Sequence, residues 1–583
     1  MADCRTQGSQ NRMNVKTRRK HSERTTYLAW ALLAGAALSC SGDKDKDADP
    51  ETPPGAETPV PNVPGERFEL NSVNWSLPAG GLALASFPNL ERQADWLSQG
   101  DEYWVLRDMN GDRRVDLVVT TVVRDIAEGP LAGESYGYPA DPHWLVYLSG
   151  EAGFASTPVK WKLPPGGRVA HGFDRARSQP ADRLKNDRGD YHEQGDESWI
   201  LRDMDGDLKL DLVVTGVAGE LPMLGYVMRP YDQGQAEPHW RVYRNNGAGF
   251  ETTAARFLLP TALPFTQEGL AAEASVLFAS HTQQLWSVRD MNNDGKPDLL
   301  VTANVVKLKG EVYEPRVEGG AAPQWRVFFN DGTRFAPTPT SWSLPRQRGR
   351  GDLGLYLTSG AGTEDGDNRW TIGDLTGDGL PDLVVTGSQV NLSMKAPGYP
   401  SSSHWEVYFG GATGFGPLQQ WALPRGGTAN GGFFAAAAAG STIAGDDTWS
   451  TVDINGDLKL DLVVTGEYVT GTDPGTYGFG RLGNDPYWRV HLNNGTGFVQ
   501  DEQRWALPTG GLRDLGFNST VGTGSQVGDE SWSLTDLDGD RQPELVVYAN
   551  TVEDPRNVGG GFTLNIAPGF GTTPYWRAYR NVP

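Results

Sequence analysis

The stretch that decides the reading is Asp108-Met109-Asn110-Gly111-Asp112-Arg113-Arg114-Val115-Asp116-Leu117-Val118-Val119-Thr120. Five more stretches of this design begin at Asp203, Asp290, Asp374, Asp453 and Asp536, spaced 95, 87, 84, 79 and 83 residues apart along the chain. Oxygen-bearing side chains stand at loop positions 1, 3, 5 and 9. They are Asp108, Asn110, Asp112, Asp116 in the first loop and Asp203, Asp205, Asp207, Asp211 in the second. The third loop has Asp290, Asn292, Asp294, Asp298, and the fourth has Asp374, Thr376, Asp378, Asp382. The fifth has Asp453, Asn455, Asp457, Asp461, and the last has Asp536, Asp538, Asp540, Glu544. Position 4 is Gly111, Gly206, Gly377, Gly456 or Gly539, and Asn293 in the third loop. These residues most easily take the positive φ that a chain curling round an ion needs.

Each loop gathers three or four carboxylates, which repel one another unless a cation sits among them. A hard cation such as Ca2+ takes about six to eight oxygens, so the pattern predicts up to six calcium sites. The alternative is a plain Asp/Asn/Gly turn, but a turn by itself does not call for an acid at position 9, inside the following strand. An EF-hand is a poor match. Its loop of about twelve residues closes with Glu between helices, whereas the flanks here are β-branched runs such as Leu212-Val213-Val214-Thr215 and Leu462-Val463-Val464-Thr465.

The Asp-x-(Asp/Asn)-Gly-Asp-x-x-x-Asp-Leu-Val-Val core, with Trp240-Arg241-Val242-Tyr243-Arg244-Asn245-Asn246-Gly247-Ala248-Gly249-Phe250 after it, resembles the FG-GAP/VCBS repeat. The resemblance covers roughly residues 66–583. It implies a calcium-binding β-propeller like those of integrin α-subunits and bacterial surface proteins. It implies no particular ligand, because one fold hosts many functions.

Each repeat holds four apolar segments in order: a Phe leading to Trp-x-Leu-Pro, a Trp leading into the acidic loop, the Leu-Val-Val-Thr run, and Trp-x-Val-Tyr. Four strands repeated six times predict an all-β fold, a six-bladed propeller of four-stranded antiparallel blades. Of the 19 Trp residues, all but Trp30 and Trp96 fall on repeated positions, which reads as packing between blades. The last repeat ends after Trp576-Arg577-Ala578-Tyr579, and its missing continuation stands at Phe68 to Trp75-Ser76-Leu77-Pro78. An N-terminal strand is therefore expected to join the C-terminal blade and close the ring.

Strand direction puts the acidic loops and the Asn245-Asn246-Gly247 type of turn on one face, and the long connections on the other. Long loops on a rigid scaffold commonly carry function. Those here hold Tyr136, Tyr138, Tyr226, Tyr231, Tyr313, Tyr399 and Tyr477, which suit either ligand contact or loop packing. His143, His239 and His404 occupy one repeat position, filled elsewhere by Gln324, Tyr487 and Tyr575, so a hydrogen-bonding role is expected. The Gly195–Trp199 and Gly528–Trp532 stretches read as a repeated turn, not a nucleophile elbow.

Residues 1–39 hold a basic segment (Arg12, Lys16, Arg18, Arg19, Lys20, Arg24) and a short apolar stretch from Tyr27 to Leu38, a pattern of a signal peptide. Ala37-Leu38-Ser39-Cys40 resembles a lipobox, with Ala where Leu is usual, so lipid at Cys40 is expected. The acidic, Pro-rich residues 40–65 cannot bury a core and read as an extended tether. The propeller is assigned to 66–583. The net charge of −22 speaks against nucleic acid. These features together predict a monomeric, extracytoplasmic, cell-envelope lipoprotein of the outer membrane or cell surface. It would touch the membrane through its anchor alone and bind protein or polysaccharide through the long-loop face. The alternative is an extracellular polysaccharide lyase or hydrolase on a calcium propeller, although no catalytic motif appears.

Overall fold

In a computed structural model, the description covers residues 67–582 except 93–98, 124–132, 170, 178–193, 222–224, 232–236, 261–283, 308–312, 347, 439–442, 469–476, 479–485 and 557–562. Residues 1–66, which hold the expected signal peptide, Cys40 and the expected tether, lie outside the described residues.

The β-branched runs form the middle of each sheet because both of their faces are covered. Asp116–Val123 is buried at seven of its eight positions, as expected for a continuous apolar strand packed on two sides. In the second repeat, Glu197–Arg202 pairs antiparallel with Asp211–Leu221, which pairs with His239–Tyr243, which pairs with Ala255–Leu258. A further strand, Gly225–Arg229, folds back as a hairpin on the far end of Asp211–Leu221. The Trp-x-Leu-Pro strand is thus the outer strand of the preceding sheet and not the first of the next. One irregularity repeats in every sheet. The strand entering the acidic loop shifts register just before its Trp, at Tyr103/Trp104, Ser198/Trp199, Leu285/Trp286, Arg369/Trp370, Thr448/Trp449 and Ser531/Trp532. Bulges of this kind sharpen the right-handed twist that a propeller sheet needs.

The molecule is an all-β propeller, and among the described residues the only helical element is the 3-10 turn Gly351–Leu353. The expected six equal four-stranded blades are corrected. Among the described residues five regular antiparallel blades form, of five or six strands each. Where a further equal blade was expected, strands between Ala437 and Ala506 belong to an eight-stranded mixed sheet. Two physical causes account for the difference. The long connections fold back as extra hairpin strands, such as Gly133–Ser135 and Ser393–Lys395. The chain ends also meet in the mixed sheet, where Phe68 pairs antiparallel with Asn581 and Arg67 pairs parallel with Ala506. Elsewhere one continuous turn does this work, as where Asn245 bridges to Phe250. The N-terminal strand Val73–Ser76 pairs with the C-terminal Tyr575–Tyr579, Trp75 directly opposite Trp576.

Aromatic wedges join neighbouring sheets. Within a sheet, Trp144 faces Trp161, Trp325 faces Trp342, Trp405 faces Trp421 and Trp488 faces Trp505 across the last two strands. A Phe from the next sheet then meets the first Trp edge-on: Trp144–Phe250 at 5.6 Å, Trp240–Phe335 at 5.4 Å, Trp325–Phe415 at 5.7 Å and Trp405–Phe498 at 5.3 Å. The two remaining wedges are Trp488–Phe68 at 5.7 Å and Trp576–Phe154 at 5.5 Å. Phe68 therefore makes, from the far end of the chain, the contact that connectivity makes elsewhere. The edge-on geometry sets the positive ring edge against the negative ring face.

Candidate functional site

The acidic loops are built from backbone outward. Position 4 takes positive φ in each, with Gly111 at 81°, Gly206 at 81°, Asn293 at 57°, Gly377 at 75°, Gly456 at 77° and Gly539 at 79°. Position 6 does so too, and there four residues are not Gly: Arg113 at 74°, Leu208 at 70°, Leu458 at 70° and Arg541 at 74°. A left-handed non-Gly residue costs roughly 1–2 kcal/mol. The return is a hydrogen bond. The position-6 amide donates to the position-1 carboxylate, as Arg113 N to Asp108 Oδ2 at 2.7 Å and Leu458 N to Asp453 Oδ2 at 2.8 Å. The position-4 glycines donate to the other oxygen, Gly111 N to Asp108 Oδ1 at 2.7 Å and Gly456 N to Asp453 Oδ1 at 2.8 Å.

Position 9 is buried in every loop, at Asp116, Asp211, Asp298, Asp382, Asp461 and Glu544. In five loops its two oxygens receive amides from two directions. Asp116 accepts from Met109 at 3.0 Å and from Ser149 at 2.9 Å. Asp461 accepts from Ile454 at 3.3 Å and from Asn493 at 2.8 Å. The acid at position 9 thus also pins the neighbouring turn to the loop, a role that the reading from sequence did not assign. Burial is the largest influence on these groups and disfavours charge; neighbouring loop carboxylates add to it at every position but Asp211, where Arg244 opposes it. It raises Asp116, Asp298 and Asp461 to about 7, Asp211 and Asp382 to about 6, and Glu544 to about 8. Burial likewise raises Asp203, Asp453 and Asp536.

Each loop leans on the next. A Cβ at Gly111 would meet Lys209 and Leu208, at Gly206 Lys296, at Gly379 Asn293, at Gly377 Leu458, at Gly456 Gln542 and at Gly539 Arg113. The turn asparagines tie the same neighbours: Asn245 Nδ2 donates to Met109 O at 2.8 Å and Asn493 Nδ2 to Leu375 O at 2.7 Å. The acidic loops and the Asn turns therefore share one end of the sheets.

Three carboxylates come within 4.8 Å of one another in two loops, Asp203/Asp205/Asp211 and Asp536/Asp538/Asp540. The donors are all oxygen, which suits Ca2+. In the second loop Asp205 Oδ1 is a buried atom with no hydrogen-bond partner. Basic side chains compete for these oxygens. Lys209 reaches Asp207 at 2.6 Å, Lys296 reaches Asp294 at 3.4 Å and Lys459 reaches Asp457 at 2.7 Å. Thr376 Oγ1 turns to Asp382 at 3.3 Å. Asn110 Nδ2 and Asn292 Nδ2 donate to Asp112 and Asp294 at 3.0 and 3.3 Å.

A second acidic constellation lies at the opposite end of the sheets. The acid pairs opening the strands before each Trp hold the Gly-rich loop that follows Trp-x-Leu-Pro. Asp196 accepts from Val169 N at 2.9 Å and Glu197 from Gly167 N at 2.7 Å. Asp446 accepts from Ala429 N and Asp447 from Gly427 N, both at 2.7 Å. Asp529 accepts from Arg513 N at 3.0 Å and Glu530 from Gly511 N at 2.8 Å. The Asp101–Glu102 and Asp367–Asn368 pairs do the same. The Gly-Asp-Glu-Ser-Trp stretches are thus latches and not free turns. Their signal in the sequence was two consecutive polar residues recurring before each of these Trp.

The tyrosines described on this face serve the latches. Tyr136 and Tyr231 donate to Glu102 and Glu197, and Tyr138 donates to Val169 O at 2.8 Å. Arg241 lies over the Tyr231 ring at 3.7 Å. The Nδ1 atoms of His143, His239 and His404 lie at 2.7, 3.2 and 2.8 Å from backbone carbonyls of Asp141, Glu237 and Ser402, in keeping with the hydrogen-bonding role.

No protein-family profile and no curated protein matches this chain. Among solved structures it is similar to an Agrocybe aegerita lectin described as recognising non-reducing terminal N-acetylglucosamine. The identity is 16%, covering 88% of this chain and 91% of that one, with a TM-score of 0.36. It is also similar to part of the Photorhabdus luminescens Tc holotoxin pore, at 14% identity, 88% and 15% coverage, and a TM-score of 0.38. A third likeness is to the β-xylosidase RS223, at 11% identity, 65% and 94% coverage, and a TM-score of 0.21. At these values nothing about ligand or activity passes from those proteins to this one.

Proposed function

We propose that this chain is a recognition module. In this reading it is a calcium-stabilised propeller of the FG-GAP/VCBS kind that binds a protein or polysaccharide through the face opposite its acidic loops. The observation that carries the reading is the separation of the two acidic constellations. One end of the sheets bears the repeated clusters of oxygen donors. At the other end, buried carboxylates on adjacent strands clamp the backbone of the Gly-rich loops. Clamping of that kind lowers the ordering cost of binding. Divalent cations at the first end would neutralise the position-9 carboxylates, which burial otherwise drives toward the protonated form.

Export and anchoring through lipid at Cys40 belong to the same proposal, resting on the basic segment, the apolar stretch and Cys40 just after it, the other Cys, Cys4, falling within residues 1–39. Residues 40–65 would then hold the propeller off the envelope. Purified residues 66–583, screened against glycan and protein arrays with calcium and with chelator, are expected to retain a ligand in calcium and lose it in chelator. Absence of binding on both arrays would overturn the recognition reading. For the anchor, Cys40→Ala is expected to move the protein from the membrane to the soluble fraction; a variant that stays membrane-bound would overturn it.

A further inference from the structure

The second acidic loop differs from the others in one residue that is not part of the loop. Arg244, just after the Trp-x-Val-Tyr strand, sends its guanidinium back among the loop carboxylates. Nη1 lies 2.6 Å from Asp211 Oδ2 and 3.1 Å from Asp205 Oδ2, and Nη2 donates to Gly332 O in the next turn at 2.6 Å. Its side chain is 21% exposed. The corresponding residues are Leu148, Phe329, Phe409 and Leu492, each packed against an apolar cluster, and Arg580, which is exposed. The position therefore ordinarily faces the core, and in the second repeat it has been turned to the loop.

We propose that Arg244 is the cation of the second loop. Its guanidinium stands between positions 3 and 9, where a metal would have to stand, 3.1 Å from Asp205 and 2.6 Å from Asp211. A planar guanidinium cannot supply the six or more oxygen-directed bonds of a spherical divalent ion. It can supply the charge, and through Gly332 it ties the loop to the neighbouring sheet, so this junction is held whether or not calcium is present. The inference rests on the calcium reading of the other loops and predicts one exception to it.

The test uses the full chain and calcium alone, with bound metal counted after equilibrium dialysis. R244M is expected to bind one more calcium ion per chain than the parent. Adding D205N to R244M is expected to abolish that gain. In chelator, R244M is expected to melt below the parent, because Asp205 and Asp211 lose their counter-charge. Equal, non-zero calcium counts in parent and R244M would overturn the role of Arg244 and leave the calcium reading standing. No calcium in either protein would overturn both. One ion in R244M with none in the parent would support Arg244 as the loop's cation while overturning calcium in the remaining loops.

Discussion

Removing the chain through residue 78 tests how the propeller closes. That truncation takes away Phe68, Trp75 and Leu77, which are 0%, 3% and 9% exposed. Phe68 is the wedge against Trp488, and Trp75 lies across the strand from Trp576 and 6.0 Å from Phe154. Burial contributes roughly 1.5–3 kcal/mol for each such side chain, hence about 5–9 kcal/mol for the three. Net stabilities of domains are about 5–15 kcal/mol, so the loss is of the order of the whole. The backbone adds to it, since Tyr575–Tyr579 would lose its outer partner strand and expose an edge. The control is truncation through residue 65, which removes none of these groups. Chemical denaturation of both proteins, with light scattering to follow aggregation, reads the difference. The longer truncation is expected to unfold at much lower denaturant or to aggregate, and truncation through residue 70, which removes only Phe68 of the three, to fall between. If truncation through 65 and through 78 gave the same midpoint, the closure argued from Phe68 and Trp75 would be wrong.

Metal-free protein should lose stability as pH rises from about 4 to about 8, because the folded position-9 carboxyls of Asp116, Asp298, Asp461 and Glu544 keep protons that the unfolded chain has already released. Calcium should abolish that decline by replacing the proton; denaturation at pH 5 and pH 8 in chelator checks it, and stability that rises with pH there would refute the assignment. With calcium at a hundredfold excess over Kd, each occupied loop should add about 2.7 kcal/mol to unfolding, and an unchanged melt on adding chelator would count against every loop. Asp529→Ala should strip acceptors from the amides of Arg513, Ser525 and Gln526. Each unsatisfied amide costs about 1–3 kcal/mol, so a lower denaturation midpoint and faster hydrogen exchange across 511–517 are expected.

Much of the architecture was legible in the chain because it is periodic. The Leu-Val-Val-Thr runs and the recurring Trp follow from covalent order and from the need to bury apolar faces, and the paired strands Val73–Ser76 and Tyr575–Tyr579 stand where that order put them. The acidic loops were legible as loops for the same reason. What the chain order could not disclose is whatever depends on which groups meet across sheets. The long connections became extra hairpin strands, and the chain ends merged into a mixed sheet, because hydrogen-bonding edges are completed by whatever backbone lies beside them. The acid at position 9 found two amides, one from its own loop and one from a turn some thirty residues on. Arg244 found a neighbouring acidic loop, although four of its five counterparts in the other repeats are apolar residues packed toward the core. Periodicity in a sequence determines which faces must be buried; partnership between side chains far apart in the chain is decided only when tertiary packing brings them within hydrogen-bonding reach.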